Sequence, residues 1–139
     1  MNDELDKLLC EKYPKIFSDR NASMMETCMC WGFEHNDGWY NIIDQLCANI
    51  QSHIKWKNKN SEVVPQVVAT QVKEKFGGLR FYYNGGDDVV DGMVRMAESW
   101  AAYTCEQCGN VGSTRGGGWI RTLCDKHEEE RQNRYKERT

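Results

Sequence analysis

The sequence predicts an α+β fold: three helices packed on a β-hairpin, with a small cysteine- and histidine-bearing module at the C-terminal end. Three patterns carry this expectation. Apolar residues recur at helical spacing from Trp39 to Ile54. Residues 66–83 alternate about Gly77-Gly78 in the manner of a hairpin. Two close pairs of metal-type ligands, Cys105-x2-Cys108 and Cys124-x2-His127, stand fifteen residues apart. The expected division is residues 1–104 as the α+β core and 105–139 as the module with a polar C-terminal helix.

Taken in order, residues 3–13 read as a short helix with Leu5, Leu8 and Leu9 on one side. Tyr13-Pro14 ends it, because the residue before a proline is pushed out of the helical region. The segment 18–36 reads as irregular. Asp37 is an expected N-cap for the core helix bearing Trp39, Ile42, Ile43, Leu46, Cys47, Ile50 and Ile54, which closes in the basic run KWKNKNS. On the hairpin, Val68, Thr70 and Val72 are expected to alternate with Gln71 and Lys73, and Leu79, Phe81 and Tyr83 to alternate on the return strand. Asn84-Gly85-Gly86 breaks that strand. Asp87-Asp88 opens a third helix whose buried stripe is expected to be Val89, Met93, Met96, Ala97 and Trp100. The ending EEERQNRYKERT reads as a polar helix.

Composition bounds the function. The chain has 139 residues, of which 40% are hydrophobic and 28% charged, which is globular rather than disordered. The formal net charge of -3 does not advertise a nucleic-acid binder. The charge is unevenly placed, however: residues 1–54 balance at -5, 55–84 at +4, 85–104 at -3 and 105–139 at +1. An anion would therefore be met in the middle of the chain. No apolar run is long enough to span a membrane, and the acidic start MNDELDKLLC does not read as a signal peptide. Seven cysteines without an export signal point to reduced thiols and metal ligation in the cytoplasm rather than to a disulfide framework.

Cys105, Cys108, Cys124 and His127 are the strongest chemical signal. A two-residue gap lets one tight turn aim two side chains at a single tetrahedral centre, and thiolate with imidazole is the set zinc prefers. One structural zinc per chain is expected, in a treble-clef-like arrangement of knuckle, short hairpin and helix. Cys28, Cys30, His35 and Cys47 form a weaker set, open between a second metal site and free core thiols. Gly85-Gly86 is no phosphate loop, since Asp87, Asp88 and Asp91 crowd the helix start. A ligand surface is expected on Lys73, Lys75, Arg80 and Tyr82 of the hairpin and on Arg115, Trp119 and Arg121 of the module, because basic residues beside aromatics suit nucleotides and single strands. The bland alternative is a solvated strand face. No G-x-S-x-G or H-E-x-x-H motif occurs, so no catalytic set is expected. Trp31, Trp56 and Trp119 leave room for a homo-oligomer or another interface.

Four phrases belong together: DGWYNIIDQLC, QVKEKFGGLRFYYNG, AESWAAYTCEQCG and WIRTLCDKH. Across residues 28–127 they resemble a family of small zinc-binding proteins of bacteriophages and bacteria. The resemblance implies phage or prophage origin and a small accessory product; many such products counter a host defence system, and from that context this one is expected to do so by binding a host protein or sequestering a nucleotide. A zinc-finger nucleic-acid-binding or regulatory protein is the alternative, and a metal-dependent hydrolase the third.

Overall fold

The computed structural model describes residues 1–138. These residues are mixed α+β, with four α-helices among them: α1 (Asp3–Lys12), α2 (Tyr40–Lys59), α3 (Asp88–Ala101) and α4 (Asp125–Arg138). The fourth is the polar C-terminal helix. Five strands, β1 (Phe33–Glu34), β2 (Val68–Lys75), β3 (Gly78–Asn84), β4 (Ser113–Arg115) and β5 (Arg121–Leu123), form a three-stranded sheet in the order β1-β2-β3 and a separate β4-β5 hairpin. The segment expected to be irregular contributes β1, which runs parallel to β2 with Phe33 opposite Val72. A two-residue strand has too little pattern to be read from sequence.

Helix α2 packs against α3, and α3 against β3. One apolar cluster joins them, from Leu9, Ile16 and Phe17 through Trp39, Ile43 and Ile50 to Val72, Leu79 and Val90. The seven residues read as the core face of the second helix are all buried. Asp37 is not its cap. It opens a 3-10 turn, Asp37–Trp39, and its carboxylate accepts from the Asn2 backbone and side-chain amides instead. In α1 only Leu9 is fully buried, and Leu8 is exposed.

The predicted stripe of α3 is rotated. Val90, Val94, Ala97 and Ala101 face the core, while Val89, Met96 and Trp100 are exposed. Asp87 caps the helix through Val90 N, as expected, and the packing of α3 against α2 and β3 selects the face that is buried. Met96 and Trp100 line an open apolar groove with Ile42, Leu46 and Met93. On β2 a register shift between Ala69 and Gln71 moves the inward face from Val67 and Ala69 to Val72. Strict alternation of Val68, Thr70 and Val72 fails there because a bulge inserts one residue.

The turn lies one residue earlier than expected. Phe76 (φ 53°) and Gly77 (φ 80°) are its central pair, and Gly78 already pairs with Lys75. Positive φ at both central positions is the two-residue turn that matches strand twist. A bulky residue there is unfavourable. The Glu74 carboxylate accepts from Gly77 N at 2.7 Å and helps hold it.

Candidate functional site: a Cys3His cluster and the surfaces around it

The cluster is built from short local geometry. Gly109 N donates to Cys105 O and Cys105 N to Asn110 O, a tight knuckle that requires Gly109 at φ 82°. Cys124 directly precedes α4, so His127 returns to the same side one turn on. The four ligand atoms lie within 4.8 Å of one another. Cys108 Sγ is 3.8 Å from Cys124 Sγ, and His127 Nδ1 is 3.4 Å from Cys105 Sγ and 3.2 Å from Cys124 Sγ. A tetrahedral site with metal–sulfur bonds of about 2.3 Å and metal–nitrogen bonds of about 2.0 Å has edges of about 3.8 and 3.5 Å. The residues therefore fit a metal ion. Nε2 of His127 faces the Glu130 carboxylate at 3.9 Å, so the other ring nitrogen is the natural ligand.

Electrostatics are in keeping with this. Burial opposes charge on Cys105, but backbone amides of Cys124, Cys108 and Gln107 outweigh it and hold the thiol below its ordinary value. Cys108 moves the other way, through burial and the neighbouring thiols Cys105 and Cys124. Three sulfurs this close favour one charge but resist more until a cation shares them.

The cluster segment is tied to the rest of the chain by hydrogen bonds that each use at least one backbone group. Gly38 N donates to Glu106 O at 2.7 Å, Trp39 Nε1 to Thr104 O at 2.9 Å, and Asn36 N to the Glu106 carboxylate. Thr122 donates its hydroxyl to Gly77 O at the hairpin turn.

Lys73, Lys75, Arg80 and Tyr82 do share one face of the hairpin, since Lys73 pairs with Arg80, Lys75 with Gly78 and Gln71 with Tyr82. The module residues divide. Trp119 is exposed, but Arg121 is paired with the buried Glu106 at 3.1 Å, and Arg115 is spent on Leu123 O and Asp125. The hairpin and the module loop meet at the turn, where Phe76 and Glu74 line a cavity of about 320 Å³ with Gly118, Trp119 and Ile120. The hairpin cations do not line it.

Cys28, Cys30, His35 and Cys47 do not converge; among the described residues the C-terminal set is the one group arranged to hold a metal. Cys28 is exposed, whereas Cys47 is buried and its thiol is pushed far up by that burial. His35 packs between Phe33 and Trp39.

A second concavity went unread in the sequence. Trp119, Arg121, Arg131, Arg134, Tyr135 and Arg138 line a cleft of about 240 Å³ between the module loop and α4. The signal was present: positions 131, 134, 135 and 138 follow i, i+3, i+4, i+7 spacing, which places them on one helix face. A wholly polar helix end hides such a stripe because its period is in charge rather than in hydrophobicity.

No protein-family model matches the chain, and neither a curated protein nor a solved structure is significantly similar to it. No helix of the described residues is long and apolar enough to cross a membrane.

Proposed function

We propose that this is a non-enzymatic binding protein of phage type, acting in the host cytoplasm against a defence system by occupying a host protein or sequestering a nucleotide. One zinc per chain is its structural support, in a treble-clef-like module. The observation that carries the reading is the convergence of four chain-supplied ligand atoms within 4.8 Å. Four protein ligands complete a tetrahedron and leave no position for a reacting water. The metal then supports the fold, and function falls to the surfaces the fold presents. Cobalt substitution tests the first half: a closed three-sulfur, one-nitrogen spectrum is expected, and an open, water-bearing site would bring back the metal-dependent hydrolase. Co-purification from host lysate, with calorimetry against host nucleotides, tests the second half. Silence in both removes the reading.

A zinc-finger nucleic-acid-binding protein is the second reading. The alignment of Lys73, Lys75 and Arg80 with Tyr82 on one sheet face favours it. It requires an affinity that falls steeply with salt, and a band-shift assay blank at low salt would eliminate it.

A further inference from the structure

The cleft between the module loop and α4 has the chemistry of an anion site. Four guanidinium groups line it, and no carboxylate does. Two of the four are neutralised, Arg121 by Glu106 and Arg131 by Glu128. Arg134 and Arg138 have no carboxylate partner among the described residues and stand at i, i+4 on one helix face, where like charges repel. Among the described residues, two cations without a carboxylate partner thus stand against a shared concavity.

The base of the cleft is held firmly. Arg131 is 5% exposed and donates to Trp119 O at 2.8 Å and Gly116 O at 3.1 Å, as well as to Glu128. One guanidinium thereby anchors both ends of the Gly116–Trp119 segment to α4. The Arg131 Nε is buried without a partner among the described residues. At the rim Trp119 is 67% exposed and Tyr135 43%. Arginines in a last helical turn also complement the helix dipole. That accounts for Arg138, but not for Arg121 on β5 or for an exposed tryptophan on a loop with three consecutive glycines. The hairpin face is the rival anion surface, yet its cations are absent from the lining of the cavity at the module loop.

We infer that this cleft binds the phosphate of a nucleotide, with Arg134 and Arg138 on the phosphate oxygens and the base stacked on Trp119. Guanidinium forks match phosphate oxygens in pairs, and exposed aromatic faces stack bases of any sequence. The volume limits the ligand. About 240 Å³ is below the ~300–1,000 Å³ of sites that enclose a drug-sized molecule. The phosphate end is clasped while the remainder stays open, as suits a free nucleotide or one unit of a single strand. The inference rests on the binding-protein reading above and deepens it.

The test is calorimetry of the full metal-loaded chain with two probes, ATP and a single-stranded oligothymidylate, at low and moderate salt. Tighter binding of ATP assigns a free nucleotide, and tighter binding of the oligonucleotide assigns a strand. Arg134→Gln with Arg138→Gln changes only exposed side chains and should weaken the preferred probe ~100-fold, at about tenfold per lost charge-assisted contact. Trp119→Ala should weaken it ~10-fold. Lys73→Gln with Arg80→Gln should leave it within about twofold. Circular dichroism and metal content confirm folding of each variant. Binding that survives the α4 pair but is lost in the hairpin pair overturns the cleft and keeps the anion-binding reading. A wild-type chain that binds neither probe, yet retains a host protein, overturns the cleft alone. Absence of all three overturns both.

Discussion

Gly38 lies directly against the backbone of the cluster segment, and Gly38→Ala tests how tightly the two are joined. A Cβ built at Gly38 would overlap the Cys105 carbonyl oxygen and lie 2.5 Å from both the carbonyl carbon and oxygen of Glu106. These are backbone atoms with no rotamer to relieve the clash, so the two segments must separate. Overpacking of this kind costs ~1–3 kcal/mol. Separation also breaks the 2.7 Å bond from Gly38 N to Glu106 O and stretches that from Trp39 Nε1 to Thr104 O. At about 1 kcal/mol for each such bond, the total comes to about 4 kcal/mol. An unfolding entropy of about 2.1 cal/mol/K per residue over 139 residues converts this to a fall of roughly 14 °C in Tm. The assay is thermal unfolding followed by circular dichroism, with bound metal measured in parallel. Metal content should be unchanged, since no ligand is altered. Gly92→Ala is the control: nothing lies within 4 Å of its added Cβ in α3, and it should gain ~0.5–1 kcal/mol. A Gly38→Ala protein melting within about 2 °C of wild type would refute the close backbone contact and the energetics built on it.

Cys124→Ser should release the metal and unfold the C-terminal segment, because binding energy at a structural site is folding energy; equal metal content in variant and wild type, by elemental analysis, would contradict it. His35 should make the protein acid-sensitive. Burial sets its folded pKa to about 4, only partly offset by the Asn36 carbonyl, against 6.5 in the unfolded chain. The unfolded state therefore binds the proton first, and stability is present above pH 6.5 and lost as pH falls towards 4. Between pH 7 and pH 5 this amounts to about 2 kcal/mol. Urea unfolding should show that increment in wild type and not in His35→Phe, and parallel slopes would rule it out. Glu106→Ala should cost ~3–5 kcal/mol, because it strands Arg121 and leaves Asn36 N unpaired, whereas Glu106→Gln keeps an acceptor and should cost less. Equal losses for the two, in the same urea assay, would show that the carboxylate acts only by filling space.

The α+β class, α2 with its six buried residues and Trp39 just ahead of it, the hairpin and the four-ligand cluster were all legible before folding. Each depends on short spacings: a period of 3.6, a period of 2, and a two-residue gap between ligands. Such patterns are set by backbone geometry over a few residues and survive any tertiary context. Errors arose where a longer-range choice intervened. Packing against α2 and β3 chose the buried face of α3 and left Met96 and Trp100 in the open. A bulge reversed the facing of β2, and β1 formed only because β2 offered an edge. Arg115 pairs with Asp125 and Arg121 with Glu106, contacts that no short spacing announces.

The metal ligands therefore belong to the linear pattern, since fifteen residues between the pairs can close locally on their own knuckle and helix turn. The joining of that module to the core does not. It depends on Gly38 meeting Glu106 and on Thr122 meeting Gly77, pairs separated by tens of residues in the chain. The arginine cleft is of the same kind. Its helix face is written at i, i+3, i+4 and i+7, but Trp119 and Arg121 reach it only when Arg131 binds the loop carbonyls. Chelate spacing and amphipathic period are properties of a few bonds, whereas a concave site is the product of which surfaces exclude water together.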